Sequence, residues 1–400
     1  MQDPINKKVY LRKVLMSSGE FTEEAVIDLG TEQIFETAPQ GMTLGLNEAS
    51  VLTKDRITDN TILSDLSIFD LTQEDFDNNI ASKFTSQIST ALSLVFMKYL
   101  SHKAKFTGQN FYKYISEKYV KEINFPSPIF NILNGGMHAG NKLDFCEFMI
   151  IPRGKYVGDN IKIASEVYLD LKKILEKELG KKHTLVGREG GFAPEISDIE
   201  AALTLIRQAI NVRNFSNCEI AIDVAANNFS EKKVSELGER FEYEINGESF
   251  SSQEMIEYYQ KLITKFPEIT YLEDLFHEQD IETWKHAKKT LGNQIMIVGD
   301  DLTVTNIKYL EKYKDCINAC ILKINQVGTV TDMLEAYNFC EANNIKTIIS
   351  QRSGETDSDA ISHLSVGLGS SFIKAGAPAR ERIIKYNTLL RLWDISIIKH

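Results

Sequence analysis

Long apolar runs, basic clusters and paired cysteines are all missing from this chain. Its longest mainly apolar stretch, Ala91 to Met97, is far too short to span a bilayer, and the opening MQDPINKKVY has no apolar segment of the kind a secretory signal needs. A soluble, non-secreted protein is expected. Lysine and arginine form no dense run, and 56 acidic against 45 basic residues leave a formal charge of -11, which repels nucleic acid and anionic membrane surfaces. The five cysteines (Cys146, Cys218, Cys316, Cys320, Cys340) are odd in number and lack CxxC spacing or a nearby histidine, which fits a reduced, cytoplasmic setting. Only 8 prolines are present, with no Pro-rich or low-complexity linker, so lobes are expected to pack together rather than hang on a tether.

At 400 residues the chain exceeds what one compact core usually holds, and two unequal domains fit its length. A hydrophobic fraction of 43% with 25% charged residues suffices for a sizeable core. Residues 1–125 read as a small α+β domain: β-leaning runs Lys8 to Met16 and Glu24 to Leu29 flank a turn at Gly19, and helical patterns follow over Ser82 to His102 and Phe111 to Lys121. Over residues 126–400 short apolar strands alternate with amphipathic helices, the signature of a largely parallel α/β arrangement. Strands are expected over Phe145 to Pro152, Glu219 to Val224, Ile269 to Leu275, Gln294 to Asp300, Ala319 to Asn325, Thr347 to Arg352 and Phe372 to Ala375. Helices are expected between them, over Ile161 to Leu179, Ile199 to Asn211, Gln253 to Phe266, Ile307 to Tyr313, Thr331 to Ala342, Ser358 to Val366 and Arg380 to Leu392.

Asp223, Glu273, Asp300, Lys323, Arg352 and Lys374 each fall at or near the C-terminal end of one of these strands. In a closed parallel barrel those ends converge on one face, so groups far apart in sequence meet in one site. Three acids on neighbouring strands repel one another unless a divalent cation joins them, and an all-oxygen set suits Mg2+. The plain alternative is that each acid pairs with a surface lysine or caps a helix. Lys323 and Lys374 would face the cation across the pocket, where neighbouring positive charge lowers a lysine's pKa and makes it a base; either could instead serve only as an ion-pair partner. Arg352, followed by Ser353, offers a planar fork and a hydroxyl suited to a phosphate. Glu189 in VGREGGFAP is a general acid or a loop residue pairing with Arg188, and His138 and Glu147 lie in the glycine-containing NGGMHAGNKLDFCEF, where a single histidine is often a structural hydrogen bonder.

Together the segments NILNGGMHAGNKLDFCEFMIIP, VGREGGFAPEI, AIDVAANNF, YLEDLF, VGDDLTVTN, LKINQVGTV, SQRSGETDSD and IKAGAPARERIIKYNTLLR resemble the enolases, the phosphopyruvate hydratases. The likeness is dense from about Asn131 to Arg391, while the first 120 or so residues match through APQGMTLGLNEA and the strand-then-helix order. It implies an enolase-type (β/α) barrel as the C-terminal domain with a smaller N-terminal α+β domain, and Mg2+-dependent dehydration of 2-phosphoglycerate to phosphoenolpyruvate, a lyase reaction of glycolysis. By this resemblance Lys323 is the base that takes the C2 proton and Glu189 the acid that assists departure of the C3 hydroxyl. Asp223, Glu273 and Asp300 become ligands of a first Mg2+, and Thr43 the mobile-loop hydroxyl that reaches a second. Arg352, Ser353 and Lys374 hold the substrate phosphate and carboxylate, while His138 and Glu147 surround the leaving hydroxyl. Glu24 and Arg391 align with residues that pair across a subunit interface, implying a homodimer.

Departures cluster at the same pocket. The family's mobile-loop SGAS is here Gln40-Gly41-Met42-Thr43, its HRSGE begins with Gln351 and so presents a neutral amide to substrate, and its DEGG begins with Arg188, a cation expected to lower the pKa of Glu189. Three functions follow: a glycolytic enolase, an enolase-like lyase for a related phosphorylated or phosphonate acid, or a catalytically weak homologue kept for binding a partner.

Overall fold

The computed structural model describes residues 7–41, 48, 66–235 and 238–398. Its first element is an antiparallel sheet of β1 (Lys8–Leu15), β2 (Phe21–Asp28) and β3 (Gln33–Thr37), in the order β1-β2-β3. Apolar side chains at Val9, Leu11, Ala25 and Ile27 recur at the two-residue period of a half-buried strand and pack on Phe96, Leu92 and Tyr99 of the helix Ser86–Lys103. Thr85 caps that helix, its side chain accepting from the Ile88 N–H.

The second domain opens with β4 (Ser127–Asn134) and β5 (Glu147–Pro152), followed by the helices Val157–Glu178 and Ile199–Asn211 and then β6 (Cys218–Asp223). A three-stranded sheet of β7 (Ser230–Ser235), β8 (Gly238–Ile245) and β9 (Glu248–Ser251) is inserted next. Strands β10 (Ile269–Glu273), β11 (Met296–Gly299), β12 (Ala319–Leu322), β13 (Lys346–Ser350) and β14 (Phe372–Lys374) complete the wall, each of the steps between them carrying at least one α-helix. The barrel closes in the order β4, β5, β6, β10 to β14 and back to β4.

The chain differs from a wholly parallel βα repeat in three places. β5 runs antiparallel to both β4 and β6; the β4–β5 connection contains no α-helix, and two α-helices separate β5 from β6. Because β5 is reversed, Glu147 at its start sits at the same end as Asp223, its register partner at the end of β6. β4 and the helix Ile281–Leu291 were also not among the expected elements, nor was the inserted sheet. Inside the barrel a separate apolar cluster, including Ile129, Met149, Tyr271, Val298, Ile321 and Phe372, fills the lumen, so the ionisable groups are confined to one mouth.

The N-terminal lobe is joined to the barrel by direct hydrogen bonds. Gln40 and Gly354 exchange backbone N–H···O bonds at 2.9 Å, the Ser17 N–H donates to the Glu355 carbonyl at 2.7 Å, and Asp77 accepts from the Thr331 N–H and hydroxyl at 3.0 and 2.6 Å.

Candidate active site

Strand ends build one pocket. Asp223, Glu273 and Lys374 are the last residues of β6, β10 and β14, and Asp300, Lys323 and Arg352 follow β11, β12 and β13 by one or two residues. Asp223, Asp300, Lys323, Gln351, Arg352, Ser353 and Lys374 line the pocket together with His138, Glu147 and Glu189 from β5 and the loops. Glu273 is fully buried and joins the site through Lys374. Thr43, the expected ligand from the mobile loop, lies outside the described residues.

The Lys374 ammonium is shared by three carboxylates: Glu147 Oε2 at 3.1 Å, Asp223 Oδ2 at 3.3 Å, and Glu273 Oε1 and Oε2 at 3.0 and 2.9 Å. Burial opposes the charge on Lys374, yet these acids hold its pKa well above the ordinary lysine range. Burial and acidic neighbours push Asp223 up to about 6 and Glu273 to about 7, Lys374 pulling the other way. Asp300 accepts from the Lys323 ammonium and, at 2.9 Å, from Gln326 Nε2. For Lys323, burial is outweighed by Asp300, so its pKa lies above the ordinary value, the reverse of the lowering expected from neighbouring cations.

Glu189 is buried against two amides, Gln351 Nε2 donating to its Oε2 at 2.8 Å and Asn131 Nδ2 at 3.3 Å. Burial raises its pKa, but His138, Arg382 and Lys374 prevail and hold it at about 2. Arg188 is not the cation responsible: its side chain is exposed, and Arg382 approaches this segment by donating to the Arg188 carbonyl at 3.0 Å. His138 Nδ1 stands 3.2 Å from Glu147 Oε1, and against the effect of burial this contact and the charge of Glu189 raise the imidazole to about 9. In the resting site the proton therefore sits on His138 and Glu189 is a carboxylate.

Arg352 directs its fork at a carboxylate of its own chain. Nη1 donates to Glu48 Oε1 at 2.7 Å and to Asn325 Oδ1 at 3.1 Å, while Nη2 donates to Glu48 Oε2 at 3.2 Å. Gln351 is gripped from both sides, its Nε2 on Glu189 and its Oε1 accepting from Arg382 Nη1 at 2.7 Å. Arg382, fully buried, also donates to the carbonyls of Arg352 and Ser353 at 2.8 and 2.6 Å.

A divalent cation fits this chemistry. Asp223 Oδ1 is buried with no hydrogen-bond partner, an acceptor left over in an all-oxygen neighbourhood. Among the described residues, however, the groups whose ligand atoms all lie within 4.8 Å of one another are Asp274, Asp300 and Asp301, and His138, Glu147 and Glu189, whereas Asp223 and Glu273 are drawn onto Lys374. Asp274 accepts from the Asp300 and Asp301 N–H groups at 3.1 and 3.0 Å and so holds that loop in place.

Residues 122–396 match the family model of the enolase C-terminal TIM barrel domain. The chain belongs to the enolase family. The enolase of Methanosarcina barkeri is 35% identical to it across 98% of this chain and 96% of its own length. That of Sulfolobus acidocaldarius is 37% identical across 90% and 88%. The enolase of Ehrlichia ruminantium (strain Gardel) is 43% identical over a shorter match, 66% of this chain and 62% of that protein. Enolase membership accounts for the barrel and for the acidic mouth that can hold a metal. Asp301, Asp274, Gln326, Glu48, Asn131 and Arg382 also contact or line this site and were not among the residues expected from sequence. Asp301, Asp274 and Gln326 lie inside the motifs VGDD, LED and KINQ, where the signal was adjacency; Arg382, Glu48 and Asn131 also lie inside family-like segments, IKAGAPARERIIKYNTLLR, APQGMTLGLNEA and NILNGGMHAGNKLDFCEFMIIP, but nothing along the chain pointed to their partners.

Proposed function

We propose that this enolase removes water from 2-phosphoglycerate to give phosphoenolpyruvate, as a Mg2+-dependent lyase of cytoplasmic glycolysis. The supporting observation is one pocket holding a largely buried lysine at a strand end, Lys323, and a buried loop carboxylate, Glu189, among acids suited to a hard cation. Lys323 takes the C2 proton, which requires that its contact with Asp300 be relieved first, since that contact keeps it an ammonium. Arg352 exchanges the Glu48 carboxylate for the substrate phosphate, both being planar, bidentate acceptors for its fork. The leaving hydroxyl draws its proton from the group formed by His138, Glu147 and Glu189, in which Glu189 becomes a donor only after receiving the proton that His138 holds at rest. Lys374 and Ser353 bind the substrate's anionic groups. Asp223, Glu273 and Asp300 would hold Mg2+, which when bound would supply positive charge to offset the negative charge that develops on the substrate carboxylate. Formation of phosphoenolpyruvate in a coupled assay, abolished by EDTA and restored by Mg2+, is the expected result; no turnover at saturating Mg2+ would sink the reading.

Gln351 favours a second reading. Its amide replaces a titratable group by one whose orientation Arg382 and Glu189 fix, and such a site suits an acid that differs from 2-phosphoglycerate in charge. Faster turnover of a phosphonate analogue than of 2-phosphoglycerate would favour it. A homodimer is proposed alongside: Glu24 is buried beside Arg12 of its own chain and Arg391 is exposed, and sedimentation of a monomer at micromolar concentration would count against a dimer.

A further inference from the structure

Tyr271 and Glu273 are two residues apart on β10, so both project into the barrel, and both are fully buried there. The Tyr271 hydroxyl donates to Glu273 Oε2 at 2.5 Å, while the Lys374 ammonium contributes one bond to each oxygen, at 3.0 Å to Oε1 and 2.9 Å to Oε2. An ionised carboxylate offers about four acceptor positions, two on each oxygen. Three donors are therefore already placed, both positions on Oε2 are taken, and the one left is on Oε1. We propose that Tyr271 is a specificity-determining positioning residue for the metal: by taking the position on Oε2 that Lys374 leaves open, it restricts Glu273 to a single-oxygen ligand. The proposal rests on the reading of Glu273 as a cation ligand. Mg2+ accepts single-oxygen carboxylates in a tight octahedron, whereas Ca2+, with six to eight ligands, readily takes both oxygens of one carboxylate. The phenol thus biases the site toward the smaller ion without touching it.

Binding of Mn2+ followed by electron paramagnetic resonance, with Mg2+ and Ca2+ as competitors, tests this without any turnover. Native protein is measured first, and failure to bind any of the three ions overturns the metal reading itself. With binding established, Tyr271→Phe opens one acceptor position on Oε2 while conserving the buried ring, and the ratio of Mg2+ to Ca2+ affinity is expected to fall about tenfold or more, the lower end of what hydrogen-bond partners of metal ligands contribute. Tyr271→Met, a second filling without a hydroxyl, is expected to shift the ratio in the same direction. Affinities unchanged in both variants, or weakened by the same factor for both ions, overturn the proposal, because a tyrosine that merely fills the lumen alters packing and not the choice between ions.

Discussion

At the scale of single residues, Glu48 and Gln351 set the charge state and reach of the site. Glu48 holds both ends of the Arg352 fork, so on the proposed reading an entering phosphate would compete with an internal carboxylate. Glu48→Gln keeps the shape and removes the charge, and since a hydrogen bond to a charged group contributes about 1.5–3 kcal/mol, inorganic phosphate should bind about tenfold tighter by calorimetry. Unchanged or weaker phosphate binding would mean that Glu48 orients Arg352 instead of competing for it. Gln351 presents an acceptor to Arg382 and a donor to Glu189, which a neutral imidazole can reproduce with its two nitrogens. Gln351→His should therefore retain 2-phosphoglycerate turnover. Gln351→Ala leaves a buried guanidinium N–H and one side of a buried carboxylate without their partner, at about 1–3 kcal/mol, and should lower both turnover and melting temperature. Equal kinetics for native protein and the alanine variant would reduce Gln351 to packing.

At the scale of elements, the loop bearing Glu189 is fitted to β4 with no spare room. Gly191 packs so closely that a methyl group there would come within 2.7 Å of Asn134 Oδ1 and 3.0 Å of the Leu133 backbone nitrogen. Gly191→Ala should push the loop off β4, costing about 1–3 kcal/mol in denaturant titration and moving Glu189 away from Asn131. Full stability with full activity would contradict that fit. The strand ends could be read from sequence because each is a short apolar run stopping at an ionisable residue, as in AIDV, YLED and ILKI, and runs of that kind recur at a regular spacing. The reversal of β5 could not, because a strand buried on both faces carries no periodicity that records its direction. β4 is equally buried through PIFNILN and opens with a proline beside serine, which reads as a loop. The direction of the Lys323 shift was missed because a sequence supplies neighbours along the chain but not the contact from Asp300 across the mouth. Arg382 lay in a recognisable motif, yet its bonds into the site run to carbonyls and an amide about 30 residues or more away.

At the scale of the whole molecule, the mouth of the barrel concentrates charge whose pH dependence should govern stability. Asp223, Glu273 and Asp301 have folded-state pKa values pushed up to about 6, 7 and 7, in each case first by burial, against ordinary values of 3.8, 4.5 and 3.8. A group with a raised pKa binds its proton more tightly when folded, so its stabilising effect is present below the unfolded value and is lost as pH rises through the folded one. His138, raised from 6.5 to about 9, acts with the same sign in the next window. Glu189, lowered from 4.5 to about 2, acts oppositely and only in acid, its contribution fading as pH falls through about 2. EDTA-treated protein should therefore lose melting temperature steadily from about pH 5 to about pH 9. On the proposed reading Mg2+ would bind the ionised carboxylates and add stability as RT ln(1 + [L]/Kd), so its effect would grow as those acids lose their protons. The rise in melting temperature on adding Mg2+ should be larger at about pH 8 than at about pH 5.5, flattening the decline. Asp223→Asn removes the carboxylate that carries the unpartnered oxygen and should abolish most of that pH-dependent gain. A Mg2+ effect of equal size at both pH values, or one that survives intact in Asp223→Asn, would show that the ion stabilises the protein from somewhere other than this mouth.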